Sequence, residues 1–119
     1  MNYKDFERCA VNVTVGMIAG KWKPVILQHL EPGEMRFVAL WRAIPRVSKK
    51  VLLEQLRQLE ADGLVGRREH QTFPPEVGYC LTERGVSLIP VLQVIDRWAA
   101  QNLPDRVVYR PHEVSEVSN

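Results

Sequence analysis

The sequence predicts a mainly α-helical domain with one small β-hairpin, and three observations support this fold class. Apolar residues recur at helical spacing in several segments before Gly63 and again after Thr82. Between these segments, apolar residues alternate with polar or small ones, as in a half-buried β-strand. Glycine or proline stands at most of the changes from one pattern to the next, where turns are expected.

Size and composition indicate a single soluble domain. The chain has 119 residues, of which 45% are hydrophobic and 25% charged, which is ordinary for a globular protein. We expect the domain to span residues 1–103 and the mildly acidic residues 104–119 to form a flexible tail. The polar N-terminus lacks an apolar signal segment, and no apolar run is long enough to cross a bilayer. A cytoplasmic location without membrane contact is therefore expected.

Two helices are predicted first. One covers residues 6–18 and ends before Gly20, and the next covers residues 21–30 and ends at a Pro-Gly pair. Pro24 falls in the first turn of this second helix, where its missing N–H costs little. A short extended piece follows at residues 34–36.

A helix-turn-helix is predicted next. A short helix at residues 37–43 is closed by a turn at residues 44–47, and a longer helix covers residues 49–62. Ser48 is a suitable N-cap for the longer helix, and Gly63 is well placed just after its end. The core-facing stripe of the longer helix has leucines at i, i+4 and i+7, namely Leu52, Leu56 and Leu59.

The last elements are a hairpin and a final helix. Residues 64–69 and 77–81 alternate like two strands joined by a loop with two prolines. Thr82 is a suitable N-cap for a helix that continues to about residue 102, with Pro90 expected to interrupt and kink it. This order of elements indicates a winged helix-turn-helix in which the hairpin is the wing, flanked by terminal helices.

The longer helix of the helix-turn-helix is the candidate recognition helix. One of its faces is apolar and suits the core, while the other carries cations that suit the major groove of DNA. The net charge is only +2, but cations cluster in and before this helix, and its N-terminal turn suits phosphate. A solvated amphipathic helix would show a similar pattern. The candidate DNA contacts in this part of the chain are Arg36, Arg46, Ser48, Lys49, Lys50 and Arg57.

Two residues beside these cations have open roles. Glu54 is either an acceptor for a cytosine amino group or an ion-pair partner of Lys50, four residues earlier. Leu53 is expected either to pack against the core or to meet a thymine methyl group.

The tip of the hairpin, residues 67–72, carries cations and polar side chains. A wing of this kind suits the DNA backbone or the minor groove, where arginine binds well. A solvated hairpin tip is the alternative. The candidate contacts in the wing are Arg68, His70 and Gln71.

The last helix has an apolar arc wider than one core-facing stripe requires. Burial within the domain is one explanation, and a surface shared with a second subunit is the other. We expect a homodimer with Leu92, Ile95 and Trp98 in its interface. Its two recognition helices, about 34 Å apart, would match a palindromic operator.

The two cysteines do not form a disulfide framework or a zinc motif, so no metal and no cofactor are expected. Cys9 lies near a predicted helix N-terminus beside Arg8, and both features favour a thiolate. Cys9 is therefore a candidate thiol sensor, with a small packed apolar residue as the alternative. Cys80 is expected to pack within a strand.

Several motifs occur in a fixed order between residues 9 and 98, and they comprise Gly20-Lys21-Trp22, Arg36-Phe37, residues 47–52, residues 56–65 and residues 74–82. In this order and spacing they resemble the HxlR-type family of winged helix-turn-helix regulators, which is related to the MarR-type regulators. The resemblance implies a DNA-binding dimer formed by the terminal helices. In some members of the family, a cysteine at the position of Cys9 senses electrophiles or oxidants. Ala10 and Ala19 depart from the family pattern.

Trp41 and Leu53 also stand where the family more often has polar residues. These two departures indicate either an altered operator preference or a surface that binds something apolar.

The sequence therefore predicts a sequence-specific transcription regulator that binds double-stranded DNA as a homodimer, with its effector undetermined. A winged helix that binds another protein is the alternative. An enzyme is not expected, because the chain has no Gly-rich phosphate loop and no nucleophile elbow.

Overall fold

The computed structural model describes residues 3–107 and residue 111. The elements in chain order are a 3₁₀ helix at Tyr3–Arg8, α1 at Ala10–Ile18, α2 at Lys23–His29, β1 at Met35–Arg36, α3 at Phe37–Ala43, α4 at Lys49–Ala61, β2 at Val65–His70, β3 at Glu76–Leu81 and α5 at Glu83–Asn102. This order confirms the winged helix-turn-helix architecture. The tail predicted at residues 104–119 lies largely outside the described residues. None of the helices in the described part of the chain has the length and apolar character of a membrane span.

The wing is part of a three-stranded antiparallel sheet with the strand order β1-β3-β2. Met35 of β1 and Arg67 of β2 both lie opposite Tyr79 of the central strand. The short extended piece predicted at residues 34–36 thus becomes a third strand that covers the free edge of the hairpin. The pairing fixes the wing to the segment that enters the helix-turn-helix.

One apolar core joins the helices to the sheet. Leu52, Leu56 and Leu59 of α4 are fully buried, which confirms the predicted stripe. The core also takes side chains from α2, α3, α5 and the sheet, namely Ile26, Leu27, Leu30, Leu40, Ile44, Val47, Leu64, Val65, Tyr79, Ile89 and Leu92. Burial of a leucine side chain stabilises a fold by about 2 kcal/mol, so α4 is held firmly from its inner face.

Both ends of α4 have the predicted caps. The hydroxyl of Ser48 accepts a hydrogen bond from the backbone N–H of Val51 at 3.1 Å. Gly63 follows the helix with a φ of 73°, a left-handed conformation that favours glycine. Thr82 caps α5 by accepting from the N–H of Gly85 at 3.1 Å, and it donates to the carbonyl of Gly63 at 2.6 Å. The end of α4 and the start of α5 are thereby tied together.

The structure corrects two predictions about the helices. The predicted first helix is two elements, because the backbone of Cys9 has an extended ψ of 134° between the 3₁₀ helix and α1. Pro90 does not interrupt α5, which runs without a break from Glu83 to Asn102. Proline removes one hydrogen bond of the helix and crowds the carbonyl four residues earlier, but the buried side chains of Ile89 and Leu92 hold both sides of it in the core.

Candidate nucleic-acid interface

The turn before α4 places a set of candidate contacts on one surface. The indole N–H of Trp41 donates to the carbonyl of Val47 at 2.8 Å, which fixes the end of α3 against the turn. The ammonium group of Lys49 lies 4.8 Å from the centre of the Trp41 ring, a cation–π distance. Arg46 and Ser48 line the same shallow depression as Trp41. This N-terminal end of α4 combines cations, a hydroxyl and free backbone N–H groups, as phosphate binding requires.

Arg46 has a backbone conformation that arginine rarely adopts. Its φ is 66°, in the left-handed region, and the residue is exposed. A non-glycine residue with this conformation costs about 1–2 kcal/mol. A cation therefore stands at a position of the turn where glycine or asparagine would fit the backbone better.

Lys50 and Glu54 lie on the exposed side of α4. Among the described residues they form no ion pair with each other. The alternative in which Glu54 neutralises Lys50 is therefore not realised, and the charge of Lys50 faces solvent.

A cleft of about 630 Å³ separates α4 from the wing. Two candidate contacts, Arg36 and Arg57, line it together with Arg67. Arg36 forms an ion pair with Glu76, whereas Arg57 has no ion-pair partner among the described residues. Leu53 also lines the cleft and is half-buried rather than part of the closed core.

The outer face of the wing carries the other candidate contacts. Arg68 lies opposite Gly78 and is 70% exposed, with its guanidinium 3.9 Å from the carboxylate of Glu34. His70 is less accessible, at 18%, because its Nε2 lies 2.5 Å from the same carboxylate. Glycine at position 78 leaves room for the side chain of Glu34, which a Cβ at that position would displace. Gln71, just beyond β2, is exposed.

Two residues that the sequence analysis did not select stand out in the structure. The sequence predicts Arg67 in the hairpin tip, but β2 extends to His70, and Arg67 lines the cleft beside α4. Alternation from the buried Val65 could have placed it there. Glu69, and then Tyr79, raise the pKa of Arg67 above its ordinary value by hydrogen bonding, so its charge is secure. Phe73 is fully exposed in the wing loop, and no local sequence signal indicates this exposure.

The terminal helices leave apolar surface uncovered. In α5, Ile95 is 51% and Trp98 is 57% exposed, whereas Leu92 is buried in the core of its own chain. Of the three residues predicted in the dimer interface, Ile95 and Trp98 are therefore accessible to a partner, and Leu92 is not. Apolar side chains that are also exposed in α1 and α5 are Val11, Val13, Val15, Val86, Val91 and Val94.

Cys9 is an exposed N-cap residue of α1. The nearby backbone N–H groups of Asn12 and Val11 lower the pKa of its thiol. Its exposure excludes the packing alternative within this chain. Cys80 is half-buried and its thiol donates weakly to the carbonyl of Gly66 at 3.9 Å. In the part of the chain that the structure describes, no cluster of histidine, cysteine and carboxylate side chains has the arrangement of a metal site.

Comparison with known proteins decides the family. The model of the HxlR-like helix-turn-helix family matches residues 17–107. The chain belongs to the HxlR-like helix-turn-helix family. An uncharacterized HTH-type transcriptional regulator of Methanothermobacter thermautotrophicus is 43% identical over 94 residues, which cover 79% of this chain and 72% of the relative.

Two solved structures support the same assignment for this HxlR-like protein. The HTH-type transcriptional regulator ytcD has a TM-score of 0.75 and 42% identity, covering 80% of this chain and 97% of that chain. The oxidized form of the redox regulator HypR has a TM-score of 0.74 and 39% identity, covering 84% of this chain and all of that one, 100%. The chain is thus a transcriptional regulator of the helix-turn-helix type and not an enzyme.

Proposed function

We propose that this HxlR-like regulator binds palindromic sites in duplex DNA as a homodimer. In this proposal α4 enters the major groove, and the wing lies on the backbone or in the minor groove. The observation that carries the proposal is the surface at the start of α4, where Arg46, Lys49 and Lys50 are exposed around the capped helix N-terminus. The inner face of the same helix is buried in the core, so the backbone positions of Lys49 and Lys50 are fixed.

The backbone conformation of Arg46 supports a functional role for this turn. A residue in the left-handed region is held there at a cost to stability. The arginine side chain adds nothing to the core, since it is exposed. Contact with a DNA phosphate gives a reason to keep a cation at this position.

The wing fits the second part of the proposal. Arg68 is the most accessible of the paired wing cations, and Phe73 projects fully into solvent beyond it. Arginine suits the minor groove, and proteins that bind there often insert an apolar side chain. His70 would contact DNA only after leaving Glu34, so we assign it the weaker contribution.

The dimer part of the proposal rests on the terminal helices. Trp98 and Ile95 of α5, with the valines of α1, form apolar surface that no other described residue covers. Surface of this kind marks an association site. A second copy would bring two α4 helices to the same side of DNA.

The direct test is capture of genomic DNA. Fragments that bind the purified protein across a salt series are sequenced, and affinity is followed by fluorescence anisotropy. We expect steep salt dependence and enrichment of a palindrome. Lys50→Gln should weaken binding and flatten the salt slope by about 1, whereas Arg106→Gln, an exposed cation in the turn after α5, should not. Weak binding with no enriched site would favour the protein-binding alternative.

We also propose that the regulator responds to thiol oxidants through Cys9, because the thiol is exposed and its pKa is lowered. The similarity to the redox regulator HypR supports this second function. DNA binding is measured before and after treatment with diamide. The parent should change its affinity, while Cys9→Ser should keep its untreated affinity, and Cys80→Ser serves as the control. Equal responses of Cys9→Ser and the parent would overturn the thiol role.

A further inference from the structure

The cleft between α4 and the wing has an apolar lining that DNA contact alone does not explain. Leu53 of α4 faces it, and so do Phe37 and Val38 of α3 and Val77 and Tyr79 of β3. Leu53 and Val77 are only half-buried. A DNA phosphate would satisfy the arginines of the cleft, but it would leave these apolar side chains without a matching partner.

Charge in the cleft is mixed but unequal. Three arginines line it, Arg36, Arg57 and Arg67, against two glutamates, Glu60 and Glu76. Glu76 is already paired with Arg36, and Arg67 is paired with Glu69 at 2.9 Å. Among the charged residues that line the cleft, Arg57 and Glu60 therefore remain without an ion pair to the described residues.

We propose that this cleft binds a small aromatic or other apolar monocarboxylate as an effector. The carboxylate would bind Arg57, since guanidinium groups bind carboxylates through two parallel hydrogen bonds. The apolar part would lie against Leu53 and Val77. The unpaired carboxylate of Glu60 disfavours a second negative charge on the ligand. A volume of about 630 Å³ is within the range of drug-sized ligand sites.

The position of the cleft gives the ligand a regulatory consequence, and this step rests on the proposed DNA-binding function. Arg57 is a candidate DNA contact on α4, and Arg67 belongs to the wing. A ligand that occupies Arg57 and fills the space between the two elements competes with DNA for the same surface. At a ligand concentration ten times its dissociation constant, such competition weakens DNA binding about tenfold.

The probe for the experiment is 2-naphthoate, with calorimetry on the DNA-free protein. Its neutral analogue, 2-naphthalenemethanol, and the dianion 2,6-naphthalenedicarboxylate test the charge rule. We expect 2-naphthoate to bind at least about tenfold more tightly than either analogue. Equal affinity of the three compounds, or no heat of binding, would overturn the proposal.

Methyl NMR locates the probe without any substitution. The signals of Leu53, Val38 and Val77 should shift on titration with 2-naphthoate, while those of Val94 and Ile95 on the exposed face of α5 should not. Shifts confined to α1 and α5 would place the probe on the terminal apolar surface and would overturn the assignment.

Variants test the two halves of the site. Arg57→Gln should weaken 2-naphthoate about tenfold and abolish its preference over the neutral analogue. Leu53→Asn should weaken both compounds, and Val86→Asn, an exposed valine of α5 outside the cleft, should weaken neither. An Arg57→Gln protein that keeps its preference for the anion would contradict the proposal.

Ligand binding in the cleft and specific DNA binding can be tested independently of each other. Calorimetry and NMR are performed without DNA, so ligand binding stands or falls regardless of operator binding. Specific DNA binding with no uptake of 2-naphthoate overturns the effector site alone. Ligand binding at the cleft with no specific DNA binding leaves the site intact and overturns the proposed function.

Discussion

Helices α4 and α1 both carry apolar residues, but their surroundings differ. Three leucines of α4 are fully buried, whereas α1 has no buried residue at all. At its C-terminal end, Met17 and Ile18 pack partly against the core. The position of α4 is therefore set within one chain, while none of the residues that the structure describes covers the apolar surface of α1. The difference shows that contacts within one chain hold α4 in place. In the proposed dimer, the second subunit would cover the terminal helices.

The largest expected effect comes from the anchored helix. Leu56→Ala should lower the free energy of unfolding by about 2–5 kcal/mol, because it leaves a cavity at a fully buried position. Urea unfolding measures this change. Gln58→Ala, at an exposed position of the same helix, should stay within about 0.5 kcal/mol of the parent. Similar losses for the two variants would show that α4 is not held by this core.

The second-largest effect is expected at the exposed apolar surface of the terminal helices, where the proposed dimer forms. Trp98→Ala should weaken the dimer by about 2 kcal/mol or more, since buried tryptophan is a frequent interface anchor. Sedimentation equilibrium measures the dimer dissociation constant, with Gln101→Ala as a control on the same helix. A parent protein that stays monomeric at micromolar concentration would refute the proposed dimer. If Trp98→Ala left the dimer dissociation constant unchanged, Trp98 would not be part of the interface.

A smaller effect is expected in the turn before α4, where stability and binding should separate. Arg46→Asn suits the left-handed backbone at least as well as arginine does, so the free energy of unfolding should be unchanged or rise by up to about 1 kcal/mol. DNA binding should nevertheless weaken through loss of the cation. Urea unfolding and anisotropy are measured on the same variant. Unchanged DNA affinity would show that Arg46 makes no contact.

The smallest effect is confined to the chemistry of Cys9. Because the pKa of this thiol is lowered, more thiolate is present at a given pH than in a free cysteine. Alkylation of Cys9 by iodoacetamide should therefore reach its half-maximal rate at a lower pH than alkylation of N-acetylcysteine. Mass spectrometry separates the Cys9 and Cys80 products. A titration curve at or above that of the free thiol would contradict the lowered pKa.

Features that depend on neighbouring residues in sequence were predicted well. The short helix α3 has the predicted bounds, and Ser48 and Gly63 occupy the predicted caps of α4. Helical spacing also identified the leucine stripe, because a stripe of this kind is a local property of the chain.

Features that depend on distant residues were not predictable in the same way. His70 contacts Glu34, which is 36 residues earlier in the chain. The low exposure of the His70 side chain therefore follows from the sheet register. Leu92 and Ile95 belong to one apolar arc in the sequence, but only tertiary packing decides that Leu92 enters the core. The cleft between α4 and the wing likewise depends on how these two elements are placed relative to each other, and local sequence patterns do not determine that placement.

A hydroxyl-radical footprint on the enriched operator tests most directly whether the terminal helices pair two DNA-binding units. A homodimer with one α4 helix per half-site should protect two patches related by a dyad and about one helical turn apart. Trp98→Ala at low protein concentration should weaken both patches together. A single protected patch with no dyad, unchanged by Trp98→Ala, would contradict the claim that the terminal helices pair two DNA-binding units.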